Sequence, residues 1–244
     1  MATATEYWHN EQAALQAYAD TLSSALELKR VLDSRTPFNF VHAVRSGPAL
    51  LVGEGNMSFS LSLAQMSGSA ARSMTATVFK VPPVQDALMR QNAKKLISLG
   101  VTVRAGVDAT RLSNWFGRQK FKLIVFQFPN VGSRIPIYGR NPNHVLIRRF
   151  LGSAANHLQP NGKVAITTLN SGHYDGAFDV DGAAARNSYE APFAHPFKFS
   201  NFPGYIHVKT KDDGTSVASN DRECVTYIFS LKRNTNRKCL SGHR

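Results

Sequence analysis

Leu51-Val52-Gly53-Glu54-Gly55-Asn56-Met57-Ser58-Phe59-Ser60 decides the fold. With Ala49 and Leu50 before it, a short apolar run meets two glycines and passes straight into helical spacing over residues 58–65. An apolar run without polar alternation predicts a strand buried on both faces, as in a parallel sheet. Gly53 and Gly55 let a ligand approach the backbone, and the helix start is expected to offer free N–H groups. No third glycine completes a G-x-G-x-x-G pattern, which disfavours a dinucleotide.

The alternation continues outward. Strands are expected at 74–79, 101–103, 121–128 and 162–169, and helices at 84–99, closed by Gly100, and 141–158. This predicts a doubly wound α/β sheet with right-handed crossovers, whose ligand crevice lies beyond the carboxyl ends of the strands. Residues 173–203, rich in Gly, Pro, Phe and Tyr, read as a long loop. Residues 204–209 and 223–232 read as an antiparallel pair at the sheet edge, turning at Asp212-Asp213-Gly214. Upstream, residues 6–33 carry an apolar helical stripe through Leu15, Tyr18, Leu22 and Leu26, and Phe38, Phe40 and Val41 open a second segment closed by Gly47-Pro48. The expected organisation is an N-terminal helical cap over 1–47, a main domain over 48–233 and a basic, flexible tail over 234–244. The cap either packs on the core or covers a pocket.

Of 244 residues, 43% are hydrophobic and 18% charged, a globular balance. Lys and Arg number 29 against 16 Asp and Glu, a formal charge of +13. That surplus favours anionic partners such as RNA or an acidic membrane surface. Arg134, Arg140, Arg148 and Arg149 cluster, but the other basic residues are scattered. Cys224 and Cys239 are too few for a four-cysteine zinc site or a disulfide framework, and no metal cluster is visible. Without a signal-peptide pattern or an apolar run approaching 18 residues, the expected location is the cytoplasm, with no membrane partner.

Two further segments reach the same sheet edge. Val107-Asp108-Ala109-Thr110 brings a carboxylate that either accepts from an adenine amino group or caps a helix. Phe126-Gln127-Phe128-Pro129-Asn130 ends the fourth strand, and its amides suit orientation of a reacting group better than proton abstraction.

In this order the segments resemble the 25S ribosomal RNA uridine-N3-methyltransferase-like family, a Rossmann-like group that uses S-adenosylmethionine (SAM). The resemblance covers about residues 48–210 and is carried by LLVGEGNMSFSLSLA at 50–64, GVDATRL at 106–112, FKLIVFQFPNVG at 121–132 and FPGYIHVKT at 202–210. It implies a class I methyltransferase sheet, with SAM against Gly53, Glu54, Gly55 and Ser58 and its adenine near Asp108. Asn56, Phe59, Phe79, Ala109 and Phe128 complete the expected cofactor-binding set. Two departures stand out. Lys80 occupies the place after the second strand where the family has an acid for the ribose, and FQFPN replaces FNFPH, so Gln127 and Asn130 stand where the family has Asn and His.

Two activities follow from these resemblances. Uracil N3 methylation needs a flipped or single-stranded base and removal of its N3 proton, yet Asn130 stands where a histidine base would be sought; for the cyclisation below, His173, His195 and His207 are each either a base or a satisfied loop histidine. The alternative, favoured here by the altered motif and the added helices, is cyclisation of SAM to azetidine-2-carboxylate with release of methylthioadenosine. In overall plan the chain looks like bacterial azetidine-2-carboxylate synthases, methyltransferase-fold SAM cyclases with an N-terminal cap. That resemblance implies catalytic roles for Tyr174 as a cation–π partner of the sulfonium, and for Asn141, Asn130 and Gln127 in holding the amine or carboxylate. Tyr7, Trp8 and Tyr18 would line the cap. RNA is the partner only under methylation, and SAM without a metal serves both. A SAM-sensing module without catalysis is a third reading, prompted by Lys80.

Overall fold

A computed structural model describes residues 4–33, 35–79, 87–133, 135–169, 178–207 and 224–232. Seven strands form one sheet: β1 (Ala49–Val52), β2 (Met74–Thr77), β3 (Thr102–Arg104), β4 (Phe121–Gln127), β5 (Leu158–Leu169), β6 (Phe193–Phe197) and β7 (Cys224–Ser230). Their order is β3-β2-β1-β4-β5-β7-β6. The first five pair in parallel, and β7 runs antiparallel to both β5 and β6. Winding reverses between β1 and β4, so the crevice expected of an open α/β sheet lies beyond the ends of these two strands.

Leu51 pairs with Ala76 on one side and Val125 on the other, and all four β1 residues are buried. Period-two alternation sends Ala49 and Leu51 to one face and Leu50 and Val52 to the other. The first face is covered by α2 (Phe40–Arg45), α3 (Ser58–Ser67) and α4 (Ala87–Ser98). The second is covered by α5 (Ser113–Phe116), α6 (Pro142–Ala155) and α7 (Val180–Arg186). The predicted doubly wound sheet is the observed one: β1 and the centre of β4 are apolar on both faces, and helices cover each side.

The carboxyl-terminal third differs from expectation. The partner of β7 is β6, with His195 opposite Thr226, rather than residues 204–209. Pro196 hides β6 from a sequence reading, yet a proline is tolerated in an edge strand. The helix α7 also falls inside the stretch read as loop, where Gly182 interrupts the helical signal.

The N-terminal residues do not act as one unit. Helix α1 (Ala4–Asp33) forms, but every described side chain from residue 11 to 26 is exposed, Tyr18 to 65%. The helix touches the body at β6, where the Lys29 ammonium lies 5.8 Å from the Phe193 ring. That edge is four strand spacings from β1, roughly 19 Å. By contrast α2 belongs to the main body, since Phe40 is buried against Phe59 and Phe202 at ring separations of 5.5 and 5.7 Å. The residues counted as cap therefore divide between an exposed helix and the core. Trp8 and Tyr18 face solvent, and nothing is described of the Tyr7 side chain.

Candidate active site

Gly53 makes the turn after β1 at φ +66°, and a Cβ there would lie 2.4 Å from Cε2 of Phe126 on β4. Glycine is thus required by backbone conformation and by the neighbouring strand. The Glu54 N–H donates to Thr77 O at 3.0 Å, fixing the turn to the end of β2. Met57 follows at φ +60° and leads into α3.

Two of the N–H groups at the start of α3 are already taken by side chains, which corrects part of the expectation of free donors. Asn56 Oδ1 accepts from Ser58 N at 3.0 Å, and Glu54 Oε2 accepts from Ser60 N at 3.2 Å. Burial pushes the Glu54 carboxyl from the usual 4.5 up to about 7, against the opposing pull of its Ser60 hydrogen bonds. A carboxyl turned under the helix is placed to brace the turn rather than to meet ribose hydroxyls. Asn56 and Ser58 are also engaged by protein: Asn56 Nδ2 donates to Ile206 O at 3.2 Å, and Ile206 N donates to Ser58 Oγ at 2.9 Å. Asn92 Nδ2 donates to Asn56 O at 2.8 Å. Phe59 is core, packed on Phe40, Phe202 and Tyr205.

At the neighbouring edge Phe79 follows β2 with 58% of its surface exposed, unusual for a large aromatic beside a crevice. Asp108 Oδ1 accepts from Thr110 N at 2.8 Å and from Thr110 Oγ1 at 2.7 Å, so the capping alternative describes that oxygen. Its other oxygen, 4.0 Å from Arg111 Nε, stays half-open. Ala109 is buried beneath this turn.

The end of β4 holds the feature that local hydrogen bonding does not explain. Gln127 is nine-tenths buried, and neither its Nε2 nor its Oε1 has a partner among the described residues. Such a group costs about 1–3 kcal/mol unless something returns the bond. Phe128 follows in the left-handed region at φ +46°, a strained conformation for an aromatic residue. Its ring stacks on Phe199 at 5.7 Å and meets the His207 imidazole at 4.6 Å. Tyr205 Oη lies 3.4 Å from His207 Nδ1. Burial lowers the His207 imidazole below its usual 6.5. Burial also pushes the Tyr205 phenol far above its ordinary range, with the charges of Glu54 and Cys224 adding.

The remaining expected residues are placed differently. Asn130 Oδ1 accepts from Gly132 N at 2.9 Å and Asn141 Oδ1 caps α6 through Asn143 N at 2.9 Å, so both sit in local turns. His195 Nδ1 meets Thr36 O at 3.1 Å, joining β6 to the segment after α1. Gly55 is exposed. Tyr174, His173 and Lys80 lie outside the described residues. Two groups escaped the sequence reading. Asn143 Oδ1 accepts from Val131 N at 2.9 Å, and His144 Nδ1 lies 3.4 Å from Asp179 Oδ2 with Nε2 buried and unpartnered among the described residues. Among those residues no three His, Cys, Asp or Glu side chains gather as a metal site, and no helix is long and apolar enough to cross a membrane.

A seven-stranded sheet in the order 3-2-1-4-5-7-6, with its seventh strand antiparallel and a glycine turn after its first, is the class I methyltransferase fold. The chain belongs to the BMT5-like family, described as rRNA (uridine-N3-)-methyltransferase BTM5-like, whose model matches residues 50–209. It is 29% identical over 195 residues to heavy metal-associated isoprenylated plant protein 41 of Arabidopsis thaliana, covering 75% of this chain and 37% of that one. The chain thus spans little more than a third of that curated relative. A second, uncharacterized Arabidopsis thaliana protein is 30% identical over 197 residues, covering 74% of this chain and 91% of its own. Among solved structures, the glycopeptide N-methyltransferase MtfA is similar over 88% of this chain and 98% of its own, at 12% identity and a TM-score of 0.49.

Proposed function

We propose that this protein is a SAM-dependent methyltransferase acting on N3 of a uracil in RNA. The observation that carries the reading is Gln127, a buried carboxamide with no partner among the described residues, on the last residue of β4 at the carboxyl edge of the sheet. The carboxamide NH2 offers donors that suit a uracil carbonyl beside N3 and leave the N3–H itself free to be removed. The Phe128 ring beside it offers an apolar face to an unstacked base. Family membership and the net charge of +13 support RNA as the anionic partner.

The turn residues fit SAM better than a nucleotide phosphate. A helix start with two of its first donors already taken offers less to a phosphate, and SAM carries none. When bound, SAM supplies an electrophilic methyl group on a sulfonium. Gly53 keeps the turn close against Phe126, the exposed Phe79 ring suits the flat face of adenine, and the half-open Asp108 oxygen suits its amino group.

Self-cyclisation requires confinement of the methionine chain. The helix expected to provide it presents its described apolar side chains to solvent and docks on β6, which favours the open, RNA-accessible reading. The test incubates the protein with SAM, alone and with large-subunit rRNA transcribed in vitro. S-adenosylhomocysteine and N3-methyluridine formed only with RNA are the expected products. Methylthioadenosine released without RNA would overturn the proposal in favour of cyclisation.

A further inference from the structure

Three segments distant in sequence meet at one imidazole. Ile206 is tied to the glycine turn through Ser58 and Asn56, so the next residue, His207, is delivered to the end of β4. There its ring stands edge-on to Phe128, the residue after the unpartnered Gln127. Behind it Tyr205 Oη lies 3.4 Å from Nδ1, and Glu54 is near enough for its charge to act on the phenol. The phenol oxygen has lone pairs that accept from an Nδ1–H at this distance. That arrangement puts the proton of a neutral imidazole on Nδ1 and the lone pair on Nε2, for which no partner is recorded among the described residues.

Resting on the methyl-transfer reading above, we infer that His207 Nε2 is the general base that takes the N3 proton of the uracil, with Tyr205 as the positioning residue that sets its tautomer. The N3–H bond breaks with its proton to Nε2, and the N3 electron pair forms the bond to the methyl carbon. The carbon–sulfur bond breaks with its pair to sulfur, giving S-adenosylhomocysteine, and the imidazolium then returns its proton to water. Burial keeps the imidazole neutral at pH 7 and thus competent. The titratable groups around it among the described residues are Tyr205 and, behind the phenol, Glu54 and Cys224. His144 also has an unpartnered nitrogen among the described residues, but its ring lies on α6 against Asp179 and Phe178 O rather than beside Phe128. In this position His207 supplies the imidazole that FQFPN lacks at Asn130.

The test has three readouts on the full chain. In the SAM-free protein, nitrogen-15 NMR is expected to show His207 protonated at Nδ1 and bare at Nε2; the opposite tautomer overturns the assignment. With large-subunit rRNA transcribed in vitro, His207→Ala is expected to lose about 100-fold or more in rate and to recover part of it with added imidazole. The low-pH limb of the rate profile is expected to disappear in the same variant. With rRNA transcribed using 5-fluorouridine, whose N3–H is more acidic, the loss is expected to shrink by about tenfold, since less of the barrier then depends on the base. Equal losses on both RNAs without imidazole rescue, or a variant at the wild-type rate, overturn the inference while leaving methyl transfer standing. A wild-type protein that methylates no uridine in that RNA overturns both.

Discussion

Ser58 and Ile206, 148 residues apart, are joined twice: the Ile206 N–H donates to Ser58 Oγ at 2.9 Å, and that hydroxyl donates to Ile206 O at 3.0 Å. One side chain thereby completes both backbone groups of a residue in the FPGYIHVKT segment and holds that segment against the glycine turn. Ser58, expected beside SAM at the start of α3, is thus also bonded to the segment that carries His207.

Ser58→Ala removes the clasp and leaves a partly buried backbone N–H and C=O without that partner. The fold is expected to lose about 2 kcal/mol in denaturant titration. Methyl transfer is expected to fall further than SAM affinity measured by calorimetry, because the change displaces the segment of the proposed base. A variant that loses SAM binding outright would instead make Ser58 a cofactor ligand.

Gly53→Ala combines a left-handed φ with a Cβ 2.4 Å from the Phe126 ring. Strain and overpacking together are expected to cost about 3 kcal/mol. Adding Phe126→Leu relieves the steric part only, so the double variant is expected to be more stable than the sum of the two single changes predicts. Simple additivity would show that the ring is not what Gly53 accommodates.

Glu54→Gln tests the buried carboxyl. Its folded-state pKa of about 7 exceeds the ordinary 4.5, so its contribution to stability is fully present below about pH 4.5 and is lost as pH rises through about 7. The amide keeps an acceptor for Ser60 N without the charge. Variant and wild type are expected to differ little near pH 4.5, with the variant gaining up to about 3 kcal/mol by pH 8. A gap that stays constant across this range would mean that the carboxyl does not titrate as its burial requires.

Gln127→Met replaces the unpartnered carboxamide by an apolar chain of similar length. The free protein is expected to gain about 1–2 kcal/mol while losing methyl transfer to RNA, with SAM affinity retained. Lost stability would show that the amide is already bonded in the free protein, which removes the observation on which the proposed function rests.

What the chain could reveal by itself is written in neighbouring residues. Ala49–Val52 and the Leu123–Phe126 centre of β4 are apolar without alternation, as strands covered on both faces are, and Gly53 marks the turn that follows the first. The class of fold, the crevice edge and the presence of Gln127 there were legible for that reason. Pro196 concealed β6, and Gly182 concealed α7, because each breaks the local pattern that its tertiary surroundings override.

Only the tertiary structure decided who occupies the site. Glu54 and Asn56 turn inward to take two donors at the start of α3, α1 leaves its stripe in solvent, and His207 reaches Phe128 from 79 positions away in the chain. Periodicity records which face of an element is buried. It carries no information on which distant segment arrives to bury it, since that depends on register and packing across the whole sheet.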